Sequence, residues 1–380
     1  MGKRLPALPA LEWLRAYDRR SLADDLMASV IVTIMLIPQS LAYAMLAGLP
    51  PEAGLYASML PLVAYAAFGS SRVLAVGPVA VVSLMTVSAL AKVTADGSAG
   101  YAEAAMVLAL LSGGFLVLLG TLRVGFLANF LSHAVITGFV TASGILIAVG
   151  QLRHVLAVDA DGHSVLEIGG ALLAALPDTH GPTLAIGAGA VAFLLFVRSR
   201  LGPLLVRLGL RPRIATYVTR AGPVFAVIAS IVLVSALGLA QAGVPIVGVV
   251  PAGLPSLRLP RPDAALVLEL LPSAVLVSVV GFVESISVAQ SLAMRRRQRV
   301  EPDQELVGLG VANLAAGVSG GFPVTGGFTR SVVNFDAGAV TPLAGVFTAV
   351  LMGLTAALLT PAFHDLPKAV LAATIIVAVL

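Results

Sequence analysis

Apolar stretches of about twenty residues recur from one end of this 380-residue chain to the other. A helix needs roughly 20 such residues to cross a bilayer, and no other feature limits the possible folds as much. In lipid, every backbone donor and acceptor must be satisfied within the protein, so repeated runs of this length mean a helix bundle. Composition agrees. Hydrophobic residues are 58% of the chain, charged residues 11%, and the mean hydropathy is +1.01, whereas a soluble domain carries about 25% charged residues. The expected fold class is an all-α polytopic membrane protein.

The pattern predicts twelve spans, at 24–46, 52–69, 78–94, 102–121, 124–149, 182–198, 221–240, 272–294, 303–318, 328–336, 340–360 and 367–380. The third, ninth and tenth are short or interrupted by glycine. Residues 1–23 lack the layout of a cleavable signal, since the first long apolar run is of spanning length. They read as a cytoplasmic lead-in with an interfacial segment around Trp13 and Tyr17. The longest connectors are 150–181 and 241–271, and no separate soluble domain is expected. The final run, "KAVLAATIIVAVL", reaches the last residue, so a longer protein is expected.

Alternating the spans from a cytoplasmic N-terminus places 17 Lys and Arg residues inside and 5 outside, with Arg330 left within the membrane. That bias is the one inner loops carry, and it explains the net charge of +4 without nucleic acid. "RRRQR" at 295–299 reads as a topology anchor. With no cysteine, disulfides, thiol catalysis and cysteine metal sites are excluded. His133 has no second histidine or carboxylate at ligand spacing and is expected at a helix interface. Neither metal nor cofactor is expected, and no nucleophile–base pair suggests an enzyme.

Arg330 is the residue that topology leaves unexplained. An intramembrane charge costs at least ~2.5 kcal/mol on insertion scales and is a functional candidate by default. It stands in "GGFPVTGGFTRSVVN", 320–334, where Pro323 and Gly326-Gly327 interrupt the chain and a short helix begins near Phe328. In "SSRVLAVGPVAVVSLM", 70–85, Gly77-Pro78 opens a second short helix in the same way. The two breaks fall in the third and tenth spans, and a separation of seven is what an inverted repeat of seven helices gives. In such folds half-helix N-termini meet near the midplane and hold an anion with free N–H groups and dipole ends. The competing reading is that glycine merely permits close packing, with Arg330 snorkelling or paired to a carboxylate. A glycine-rich phosphate loop is rejected, because the Gly-Lys-Ser/Thr ending is absent.

Two further groups stand out. Gln39 and Tyr43 are i, i+4 neighbours in the first span, after Pro38, so an amide and a phenol share one face. They suit an oxyanion, or equally helix–helix hydrogen bonding. Pro38 is expected to kink or interrupt that helix. Glu284 is the one carboxylate in the middle of a span. It fits either an ion pair with Arg330 or a coupling-proton site. Ser331 and Asn334, within a turn of Arg330, fit a site lining or plain packing.

These segments resemble a known family. "DDLMASVIVTIMLIPQSLAYAMLAGLPPEAGLYASMLPLVAYAAFGSSRVLAVGPVAVVSL", residues 24–84, "VESISVAQSLA" and "NLAAGVSGGFPVTGGFTRSVVN" resemble, in order, the motifs of the SulP (sulfate permease) anion transporters. The resemblance implies fourteen helices in two inverted halves of seven, arranged as a core and a gate unit, of which this chain holds about twelve. Residues 24–149 and 272–360 correspond mainly to the core plus the first gate helix, and 182–240 with 367–380 to the gate. A C-terminal STAS domain is expected of the family and is absent here, and a homodimer is expected too. By motif position, Gln39, Tyr43, Val79, Ala80, Phe328, Thr329 and Arg330 resemble substrate contacts, and Glu284 matches the carboxylate of proton-coupled members. Thr329-Arg330 stands where members commonly read Ser-Arg, which keeps the hydroxyl and adds a methyl.

The expected function is therefore secondary active transport of a small oxyanion, sulfate first, by proton symport across the inner (plasma) membrane. Bicarbonate or a fumarate-like dicarboxylate, anion exchange, and a chloride-conducting channel are the alternatives, with a non-transporting membrane sensor or scaffold as the reading from another class.

Overall fold

The computed structural model describes residues 9–15, 17–93, 99–126, 133–160, 162, 164–261 and 264–379. The lead-in before Pro9, with Lys3 and Arg4, and the side chain of His133 lie outside what is described. The order is α1 (Ala10–Arg15), α2 (Arg19–Leu46), α3 (Pro51–Tyr56), α4 (Leu60–Phe68), β1 (Val76–Gly77), α5 (Ala80–Leu90), α6 (Ala99–Thr121), α7 (His133–Leu156), α8 (Val165–Ala175), α9 (Gly181–Phe196), α10 (Gly202–Arg207), α11 (Pro212–Arg220), α12 (Gly222–Leu237), α13 (Ala264–Arg295), α14 (Pro302–Val318), β2 (Thr325–Gly326), α15 (Phe328–Asp336), α16 (Leu343–Leu354) and α17 (Lys368–Val379). Five of these runs are long and apolar enough to cross a bilayer, or six if Ile214–Arg220 and Gly222–Leu237, bent by 50°, count as one span. The other expected spans are present as shorter, broken or less apolar helices.

Local chemistry explains most boundaries. Asp18 caps α2 by accepting from the Ser21 N–H at 2.7 Å. Contrary to an interruption at Pro38, α2 continues through it, as packed membrane helices permit when neighbours satisfy the freed groups. The span expected at 52–69 is two helices. Ser58, in the break, bonds the Ser40 hydroxyl of α2 at 2.7 Å and the Gly54 carbonyl at 2.8 Å, and Pro61 opens α4 in its first turn. The connector 150–181 contains α8, started by Ser164, whose Oγ accepts from the Glu167 N–H at 3.3 Å; Ser164 to Glu167 has the spacing of a capping box. Within 198–220 lie α10 and α11, which hydropathy alone does not separate from a loop.

The tightest packing joins α14 to α6. A Cβ on Gly113 would stand 2.7 Å from the Gly310 carbonyl oxygen, and one on Gly310 would stand 2.7 Å from the Val117 nitrogen. Small residues thus let two helix backbones touch, the usual means of association where lipid removes the hydrophobic drive. At the first turn of α14 the wholly buried Glu305 accepts from Tyr65 Oη (2.7 Å), Ser70 N (2.8 Å), Ser70 Oγ (2.7 Å) and Ser71 N (2.8 Å). Those four donors offset much of the cost of burying a carboxylate. Asp25, equally buried, plays the same part between α2 and the loop before α16, accepting from Val340 N, Thr341 N and Thr341 Oγ1 at 2.7, 3.1 and 2.5 Å.

One element was absent from the all-helical expectation. β1 and β2 pair antiparallel, with Val76 opposite Gly326 and Gly77 opposite Thr325. Each leads directly into a short helix, α5 or α15, so this two-residue ladder fixes how those helices begin relative to one another.

Candidate functional site

The N-caps of α5 and α15 are Val79 and Gly327, and neither helix start receives a side-chain cap. The first N–H groups of each helix therefore remain free to meet a ligand. Their positions are pinned by hydroxyls. Ser331 Oγ accepts from Ala75 N at 2.9 Å and donates to the Gly327 carbonyl at 2.7 Å, tying α15 back to the segment before β1. On the other flank Ser285 Oγ accepts from Gly326 N at 2.8 Å and lies 2.5 Å from Thr325 Oγ1. Asn313 holds the chain entering β2 by both edges of its amide, bonding Val324 N and the Val324 carbonyl at 2.9 Å each.

Arg330 sits in the first turn of α15 and is 2% exposed. Its Nη1 donates to the Pro78 carbonyl, immediately ahead of α5. Its Nε and Nη2 are buried without a hydrogen-bond partner. Neither snorkelling nor carboxylate pairing describes this side chain. Oε2 of Glu284 is likewise buried without a partner, so the two charges share a site without bonding each other. A Cβ on Gly327 would lie 2.9 Å from Arg330 Nη2, so glycine at this N-cap makes room for the guanidinium.

These groups surround a cavity of about 230 Å³ lined by Gln39, Tyr43, Val79, Ala80, Val81, Gly144, Ile147, Glu284, Gly327, Phe328, Thr329, Arg330, Ala378 and Val379. The structure thus brings together all eight residues singled out in the sequence, from α2, the α5 and α15 starts, and α13. Gln39 and Tyr43 are 8% and 7% exposed, Val79 and Ala80 7% each, whereas Phe328 is 58% exposed. Sequence reasoning missed Gly144 and Ile147 of α7 and Ala378 and Val379 near the end of α17, which are small or apolar and carry no polar signal. It left Ser331 and Asn334 undecided. Ser331 works behind the site, and Asn334 Nδ2 bonds the Val73 carbonyl at 3.1 Å.

The charge layout is one-sided. Each helix N-terminus carries roughly half a positive charge, and Arg330 adds a full one, while Glu284 lines the same cavity. Among the described residues no group of three His, Asp or Glu side chains is placed to hold a metal ion. An anion, small enough to enter with a few waters, is the ligand such a cavity favours.

The sequence model described as the sulfate permease family matches residues 22–380. This chain belongs to the sulfate permease family. It is 36% identical over 374 residues to the probable sulfate transporter 4.2 of Arabidopsis thaliana, covering 98% of this chain and 54% of that one. It is also 36% identical over 395 residues to human solute carrier family 26 member 6, covering 98% and 50%. The chain spans about half the length of the curated relatives it matches. Among solved structures, SLC26A9 superposes with a TM-score of 0.89 at 23% identity, covering 98% of this chain and 59% of that one. The transmembrane domain of the cyanobacterial bicarbonate transporter BicA gives 0.80 at 22% identity, covering 95% and 89%. The fold is therefore that of sulfate permease membrane domains, with the inverted arrangement the sequence implied, and the relatives are transporters rather than enzymes.

Proposed function

We propose that this chain forms the membrane part of a secondary active transporter for a small oxyanion, with sulfate as the leading substrate. One observation carries the reading: a buried arginine with two unpartnered guanidinium nitrogens lies where two uncapped helix N-termini face one cavity. Each unmet buried donor costs about 1–3 kcal/mol, more for charged groups. An entering oxyanion relieves that cost, accepting from Arg330 and from the N–H groups of the first turns of α5 and α15. Gln39 and Tyr43 donate from the α2 side, Thr329 adds a hydroxyl, and Val79, Ala80 and Phe328 shape the walls. None of these donors can follow the ion once it leaves, so release restores the unmet state. Binding stays reversible for that reason.

Glu284 supplies the coupling. An ionised carboxylate opposes a second anion; unit charges about 4 Å apart interact by roughly 4 kcal/mol at an effective dielectric constant near 20. Protonation removes the repulsion, so proton and anion enter together. Transport follows when the core unit (24–149 less the gate helix, with 272–360) moves against the gate unit (182–240 and 367–380). The names of the plant relatives support sulfate. The generic character of the donors, and the bicarbonate carried by one fold neighbour according to its title, support bicarbonate or a small dicarboxylate as the second reading. The Lys and Arg bias supports an inner (plasma) membrane location with the N-terminus in the cytoplasm, and the family supports a homodimer.

Radiolabelled sulfate uptake into proteoliposomes tests this reading. Uptake is expected to rise when the outside is acid relative to the lumen, and indifference to the gradient rejects proton symport. Arg330→Ala is expected to abolish anion binding by calorimetry, and unchanged affinity rejects the half-helix site. Glu284→Gln is expected to retain anion exchange yet lose the pH drive; a variant still driven by pH excludes Glu284 as the proton site.

A further inference from the structure

The segment between α9 and α12 has no part in the cavity. α9, the wide turn Val197–Leu201 and α10 form one run, Gly181–Arg207, of 27 residues. At about 1.5 Å per residue it measures about 40 Å, against a hydrocarbon thickness of about 30 Å. Arg200 and Arg207 mark its last turns as the end that reaches the lipid headgroups. Little of this run is buried in the protein: only 17% of its spanning window. There the chain folds back. Gly209 adopts a left-handed φ of +92°, the Gly209 and Leu210 N–H groups close on the Val206 and Leu205 carbonyls, and Pro212 opens α11.

No acidic residue occurs between Asp178 and Asp263, while 198–220 holds six arginines. Two are engaged elsewhere: Arg198 donates to the Val377 carbonyl at 2.6 Å, and Arg220 pairs with Asp336 at 2.5 Å. Arg200, Arg207 and Arg211 are exposed and bond no partner among the described residues. Between them lie Leu204, Leu208 and Ile214, exposed by 42%, 69% and 47%. Topology retention needs only the charges, not a folded hairpin that displays leucines. A soluble anion leaves the leucines unexplained, and hydrocarbon alone leaves the arginines unexplained. A leaflet with anionic headgroups answers both, because apolar side chains seat at the acyl boundary and each nearby basic residue adds attraction.

We propose that the α10–α11 hairpin is a docking foot on the bilayer leaflet at this face, holding anionic phospholipid headgroups through Arg200, Arg207 and Arg211. Leu204, Leu208 and Ile214 seat it in the interface. Two arms test this on the full chain. In the first, Leu208→Trp is made in a Trp13→Phe background and reconstituted with brominated phosphatidylcholine; blue-shifted, quenched emission is expected. Emission typical of water, without quenching, overturns the proposal. In the second, the protein is extracted from vesicles of equal phosphatidylcholine and phosphatidylglycerol, and retained lipid is read by native mass spectrometry. Preferential phosphatidylglycerol retention is expected, falling several-fold in the combined Arg200→Gln, Arg207→Gln and Arg211→Gln variant. It is expected to persist when Arg295, Arg297 and Arg299 are changed to Gln instead. Equal retention by the first variant overturns the proposal. So does a reporter in water combined with arginine-dependent binding of soluble polyphosphate, which assigns the surface to a dissolved anion.

Discussion

Single residues show what was readable and what was not. Arg330, Glu284, Gln39 and Tyr43 were legible because a polar side chain in an apolar run costs energy and demands a reason. Gly144, Ile147, Ala378 and Val379 line the same cavity but look like any packing residue, so only the fold reveals them. Asn313 is the case between. It reads as an ordinary polar residue of α14, yet both amide edges hold Val324. Asn313→Ala is expected to leave that N–H and carbonyl unmet and to cost about 2–4 kcal/mol, measured by thermal or denaturant unfolding in detergent. Asp18 gives a pH effect of known sign. The Ser21 N–H it accepts holds its carboxyl below the usual aspartate range, so the cap is intact above about pH 4. It is lost as pH falls through the lowered folded value, and Asp18→Ala removes that dependence. Amide exchange at Ser21 and Leu22 checks both.

At the scale of elements, long spans were legible and their interruptions only partly so. Gly77-Pro78 and Pro323 with Gly326-Gly327 announced the two half-helices, and these begin within two residues of expectation. The break between α3 and α4 was hidden because it depends on Ser40, 18 residues earlier, bonding Ser58. Helix α8 carried its signal in Ser164 and Glu167, but within a stretch too short to span. The β1–β2 ladder had no local signal, since each strand is two residues and its partner lies in the other half of the chain. The element-level prediction concerns the start of α15. Gly327→Ala is expected to displace the Arg330 guanidinium, given the 2.9 Å approach, and to weaken anion binding at least about tenfold, or about 1.4 kcal/mol. The melting temperature is expected to change little. Calorimetry beside thermal unfolding separates the two effects.

For the whole molecule, class and family were legible from hydropathy and ordered motifs, but contacts between distant helices were not. Arg220 of α11 and Asp336 at the end of α15 form an ion pair across 116 residues, and both side chains are partly exposed. Such a pair contributes less than about 1 kcal/mol to stability. In the proposed mechanism it joins the gate to the core. Arg220→Gln and Asp336→Asn are therefore each expected to leave stability almost unchanged and to raise sulfate turnover, and combining them adds nothing further. A cycle of proteoliposome rates with both singles and the double decides whether the two residues act as one latch.

The short ladder also bears on how the protein is made. Val76 and Gly326 are 250 residues apart, and translation at about 5–20 residues per second needs roughly 10–50 s to cover that distance. During that interval the first half must wait in the membrane with an unfinished re-entrant segment, its donors unmatched by any strand. Until Thr325 and Gly326 have been made, Val76 and Gly77 lack the strand that pairs with them in the finished fold.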